Sequence, residues 1–211
     1  MLFSIIMADK KKSFKLKISQ NLAQLLIVMA GVFLGMLLTE WNTTRKTSNK
    51  IEIITEQIRL EILSNKALLE SSIQRKNPFW KSLDTLNKAF SEEVYQEPFH
   101  ANSFENRLPG WKGTGGGRLD DSMYETAKFS NVIPEMDFEL VKVLSKAYNT
   151  QQLYNDLSEY FINQFYAINS NTTYADVLRL MWRIRQDLGG YELELLEQYE
   201  LALQILDEKN D

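Results

Sequence analysis

The stretch Leu22–Trp41, LAQLLIVMAGVFLGMLLTEW, constrains this chain more than any other. From Leu22 to Leu38 it carries no charge, and Gln24 is its one strongly polar side chain. As a helix that run spans about 25 Å, and about 30 Å when extended to Trp41, the thickness of a bilayer core. A charge at mid-membrane costs about 3 kcal/mol, so its absence over this length is informative. A surface helix of a soluble domain shows a polar face, and this stretch has none. It therefore reads as a single transmembrane helix within residues 18–41. Lys15 and Lys17 mark the near boundary, and Trp41 the far one, where an indole sits between headgroup and hydrocarbon. A buried core helix is one alternative and a cleaved leader a second, but Thr39, Glu40 and Trp41 offer the leader no small-residue cleavage site. With no cysteine in the chain, lipid attachment through one is excluded.

One line along this helix gathers two glycines and, toward its N-terminal end, two glutamines. At about 100° per residue, Gln20, Gln24, Gly31 and Gly35 fall near one line. Glycines four apart let a second helix approach closely, and amides in lipid gain from a partner amide by about 0.6–2 kcal/mol. These four residues are the candidate helix interface, for self-association or for another membrane protein.

Charge sets the expected orientation. Lys10, Lys11, Lys12, Lys15 and Lys17 precede the apolar run against Asp9 alone, while Arg45, Lys46 and Lys50 follow it. The basic excess before the run places the N-terminus in the cytoplasm and the larger domain outside, periplasmic in a cell with two membranes. That makes the inner membrane the expected location. Residues 51–211 carry 16 Lys/Arg against 26 Asp/Glu, a net of −10, which argues against nucleic acid as a partner.

The expected domain order is a basic tail over 1–17, the membrane helix over 18–41, a polar connector over 42–50 and a helical domain over 51–211. Met7 opens a more ordinary tail than Met1, so both are candidate starts. Ile51, Ile54, Ile58, Ile62, Leu69 and Ile73 recur at a helical period, with Asn65 interrupting the stripe. This helix reads as packing within its own domain, with a coiled-coil stalk as the alternative. Pro78 predicts a break or kink, followed by a helix over 79–95. Residues 96–118 are irregular. Phe99, Phe104 and Trp111 predict that the first part packs on the helices, and Phe99, His100 and Trp111 form the candidate partner surface. A short helix over 119–129 has Asp120 or Asp121 as its cap and ends at Asn131. Pro134 or Asp137 opens a long helix to about Ile168. A capped turn at 169–173 leads to a last helix from Tyr174, interrupted at Gly189-Gly190. No strand is expected.

Two segments together resemble an uncharacterised family of bacterial single-pass membrane proteins. One is AQLLIVMAGVFLGMLLTEWN, followed by Arg45-Lys46 and an Ile/Leu/Glu-rich helix. The other is DSMYETAKFSNVIPEMDFELVKVLSKAYN over 121–149. The resemblance implies a short N-terminal tail, one membrane helix and a helical C-terminal domain. It supplies no catalytic motif. The chain departs from it at Asn131, where a glycine is expected in the turn.

Candidate chemistry is sparse. His100 is the lone histidine and there is no cysteine, so a His/Cys metal cluster and a thiol nucleophile are excluded. His100 sits in EPFHANSF without a nucleophile motif and reads as a loop residue. Gly113–Arg118, GTGGGR, lacks the Lys-Ser/Thr of a phosphate loop and reads as a connector. The late glutamates Glu192, Glu194, Glu197 and Glu200 read as a solvated helix face. Arg179, Arg183 and Arg185 surround Trp182 and read as surface pairing, with a carboxylate or lipid headgroup as the alternative. No catalytic, metal or cofactor residue is assigned.

The fold expected is all-α: one N-terminal transmembrane helix, then an antiparallel four-helix-like bundle with a long irregular loop. The function expected is a membrane-anchored, non-enzymatic scaffold or accessory subunit, touching lipid and either itself or another membrane protein. A ligand-sensing domain and a carboxylate-dependent hydrolase are the alternatives.

Overall fold

The computed structural model describes residues 2–89, 91–100, 110–111, 113 and 117–208, the side chains of 2–23 and 86–89 excepted. Phe104 and Lys112 lie outside this set. The chain divides into two units, Met1–Lys50 and Ile51–Asp211. It is all-helical. Among the described residues there is no strand, only a bridge between Pro98 and Thr173.

Helix α1 spans Leu2–Ala89. Within the first unit the side chains of its apolar run from Gln24 to Trp41 are exposed. An 18-residue window there has mean hydropathy 1.7 and is 0% buried, long and apolar enough to cross a membrane. The hydroxyl of Thr39 donates to the Gly35 carbonyl at 2.9 Å, and Thr43 donates likewise to Thr39. Both hydroxyls are thus satisfied by their own helix.

In the second unit α1 buries Ile54, Ile58, Ile62, Leu69, Phe79 and Leu83. The expected break at Pro78 does not occur, and 79–89 continues the same helix. Pro78 and Gln74 both face solvent, so the carbonyl that loses its amide partner can turn to water. The Ser82 hydroxyl caps the Pro78 carbonyl at 3.0 Å. Helix α2, Glu92–Gln96, is a separate short piece.

Helix α3, Ser122–Phe129, ends in a left-handed residue, Asn131, at φ 55°. The Val132 amide bonds the Ala127 carbonyl and the Asn131 amide bonds that of Lys128, both at 3.2 Å. This is the Schellman pattern, normally served by glycine, here served by the asparagine that tolerates positive φ. A 3-10 turn over Ile133–Glu135 contains Pro134. Helix α4, Phe138–Tyr166, is opened by Asp137, whose carboxylate accepts from the amides of Glu139 and Leu140.

Helix α5, Tyr174–Arg183, begins with a capping box between Thr173 and Asp176. A π turn over Ile184–Leu188 joins it to α6, Gly189–Glu208. The irregularity expected at Gly189-Gly190 therefore falls just before the pair, and Gly189 itself is helical at φ −62°. Cross-links fix how these helices run. Arg59 meets Asp207 at 2.7 Å and Lys66 meets Glu200 at 3.1 Å, so this part of α1 and α6 are antiparallel. Tyr154, Tyr174, Tyr199 and Phe161 fill the interior with the aliphatic residues.

Candidate functional site

The ridge inferred from sequence lies on the uncovered part of α1. Gln24, Gly31 and Gly35 are exposed, and a methyl group added at either glycine would meet nothing within 4 Å. Trp41 is exposed at 66%. The side chains of Lys15, Lys17 and Gln20 lie outside the described set.

The three residues named as a partner surface are placed differently from one another. Phe99 is 3% exposed, and its ring meets Tyr174 edge-on at 5.0 Å. Its amide donates to the Thr172 carbonyl at 2.7 Å, tying the segment after α2 to the start of α5. Phe99 is thus interior, not surface. Trp111 is half-buried between Phe79 and Phe165, with ring centroids at 5.0 and 5.3 Å. His100 alone of the three is exposed.

A buried polar cluster that sequence reasoning missed holds the segment entering α3. Asn65 on α1 accepts from the Asp120 amide at 2.9 Å and donates to the Asp120 carbonyl at 2.6 Å. Asn155 on α4 does the same to both backbone groups of Leu119, each at 3.0 Å. Side-chain amides here imitate a strand's ladder, satisfying backbone that enters the core without secondary structure. Gln151 adds a bond to the Asp120 carbonyl at 2.8 Å and accepts from the Tyr199 hydroxyl at 2.6 Å.

Beside this ladder, Glu61 caps α3 from another helix. Its carboxylate accepts from the Met123 amide at 2.7 Å, the Ser122 hydroxyl at 3.2 Å and the Tyr148 hydroxyl at 2.6 Å. Burial raises the Glu61 pKa above the usual carboxylate value, against the lowering effect of those bonds. Tyr148 stacks on Tyr124 at 4.2 Å, and burial next to Glu61 pushes its hydroxyl far up, so it stays a donor.

The second buried charge is a pair. Lys76 on α1 bonds Glu192 on α6, both side chains 5% exposed. Tyr154 also bonds the Glu192 carboxylate. Burial raises Glu192, opposed by Lys76 and Tyr154. The sequence places Glu192 in a solvated row, but the α-helical period turns it inward while Glu194, Glu197 and Glu200 face out. A groove of about 290 Å³ opens beside it, walled by Trp80, Asn77 and Arg185 and by the Gly189-Gly190 backbone. Arg185 is engaged there, 2.6 Å from Asp84 and over the Trp182 ring at 5.1 Å.

Both buried carboxylates are thus met by donors from their own chain, Glu61 by three and Glu192 by two. Their chemistry is to fix helices against one another. Among the described residues no cluster of three metal-ligating side chains occurs. No protein-family model, curated protein or solved structure matches this chain.

Proposed function

We propose that this chain is a membrane-anchored, non-enzymatic scaffold or accessory subunit. Its α1 crosses the bilayer once and its acidic, bundle-like helical domain engages a partner beyond it. The observation that carries this reading is the bare apolar run of α1. Between Leu25 and Leu38 the large apolar side chains are 45–71% exposed. At roughly 25 cal/mol per Å², leaving such a surface in water is strongly unfavourable, and lipid or a second helix must cover it. The charge asymmetry puts the N-terminus in the cytoplasm and the domain on the far face of the inner membrane.

The uncovered Gln24–Gly31–Gly35 line gives the helix a face for a second helix, from its own kind or from another membrane protein. Two measurements test the reading. In fractionated cells the full chain stays with membranes through alkaline carbonate and leaves them only in detergent; recovery in the soluble fraction overturns the anchor. Gly31→Ile with Gly35→Ile abolishes crosslinking in the membrane or co-purification of the partner; unchanged association removes the helix from the interface.

A further inference from the structure

Helices α4 and α5, joined through residues 167–173, leave a groove of about 270 Å³ between them. Phe161 and Val177, both nearly fully buried, form its base together with half-buried Leu180 and Ile168. Its edges are polar and regularly spaced. Tyr160 and Gln164 lie one turn apart on α4, and Arg179 and Arg183 one turn apart on α5.

The charge in this groove runs against that of the domain around it. Residues 51–211 carry a net of −10, yet the ionic side chains lining the groove are two arginines and Asp176, a local excess of one positive charge. Asp176 is already occupied. It accepts from the amide and hydroxyl of Thr173, which hold its pKa low, and lies 3.5 Å from Arg179. Arg183 is exposed and makes no ion pair among the described residues. One guanidinium is therefore uncommitted beside an apolar floor.

We propose that this groove binds a small monocarboxylate with an apolar body. Arg183, with Arg179 one turn away, takes the carboxylate through paired N–H donors, the geometry in which a guanidinium outperforms an ammonium. The apolar body lies on Phe161, Leu180 and Ile168, with Tyr160 and Gln164 closing the opposite edge. The volume falls just below the range of about 300–1,000 Å³ usual for drug-sized ligands, which limits the occupant to a small molecule. A single negative charge matches the local excess, whereas a dianion such as phosphate would leave charge unbalanced inside an acidic domain. The inference goes beyond the anchoring role and stands on the α4–α5 groove alone.

The test uses the full-length protein in a sugar-headed nonionic detergent, titrated by calorimetry with phenylacetate, phenylacetamide and inorganic phosphate. Phenylacetate binds saturably, and its neutral amide binds about tenfold more weakly or not at all. Arg183→Gln weakens phenylacetate about tenfold, and Arg179→Gln with Arg183→Gln removes binding while the unfolding temperature stays put. Equal binding of acid and amide by the unaltered protein overturns the proposal. So does undiminished binding by the folded double variant, or phosphate binding more tightly than phenylacetate. Absence of saturable phenylacetate binding up to about 10 mM overturns it as well.

Discussion

Glu61 sits where the α1 period turns toward the core, and its carboxylate caps a helix 61 residues further along the chain. Its stability contribution has a definite sign. The folded pKa is raised above the ordinary 4.5, so the folded state binds the proton more tightly than the unfolded one. The contribution is fully present below about pH 4.5 and is lost as pH rises through the raised folded value. Acidification toward pH 4.5 therefore stabilises the domain through this group. Glu192, raised by burial likewise, acts in the same direction, so Glu61→Gln reduces that dependence without abolishing it, read as unfolding temperature against pH. A wild-type profile falling steadily as the pH drops toward 4.5 would contradict it. Asp176 acts oppositely, but its pKa is held below 3.8, outside that window. Asn65 is the companion case. Replacing it with alanine leaves the Asp120 amide and carbonyl without their Asn65 partner, and unfolding in urea should show a loss of about 2–4 kcal/mol. In the sequence Asn65 was legible only as an interruption of an apolar stripe. Its role needs a segment 55 residues away, a pairing that no local period encodes.

At the scale of elements, the signals carried by the backbone were readable and those carried by neighbours were not. Asp137, Thr173 and the turn at Asn131 mark helix ends in the structure, because capping is a property of a few adjacent residues. Asn131→Gly keeps the turn and holds or slightly raises the unfolding temperature, while Asn131→Val forces a branched side chain to φ 55°. The latter costs about 1–2 kcal/mol by the same denaturation. Of the break or kink expected at Pro78, the break does not occur, because the effect of a proline depends on which way it faces. On the solvent side it removes a bond from a carbonyl that water can serve, and α1 continues. The structure answers the proline with a glycine: Gly110 crosses α1 there at φ 83°, and a Cβ on it would stand 3.3 Å from the Phe79 nitrogen. Gly110→Ala meets both a strained backbone and a close contact, and should lose about 1–2 kcal/mol. An unchanged unfolding temperature in that variant would show that the crossing is not tight.

For the whole molecule, the division at residue 50 agrees with where the buried residues lie. Among the described side chains every buried hydrophobic one belongs to Ile54 or a later residue, and those from 24 to 46 are exposed. The apolar mass of the chain is thus of two kinds, one satisfied by its own fold and one left bare. That contrast was visible in the sequence as a run without a polar face beside helices that have one. The inward turn of Glu192 and the pairing of Lys76 were not, since a helix's buried side is fixed by what packs on it. Because the buried hydrophobic side chains among those described all lie within 51–211, a polypeptide of residues 51–211 should be soluble without detergent. It should unfold in one cooperative step, at the temperature found for the domain transition of the full chain. Aggregation, or a transition lowered by many degrees, would mean that the domain draws stability from the apolar helix. The helix would then be a structural part of the domain as well as its anchor.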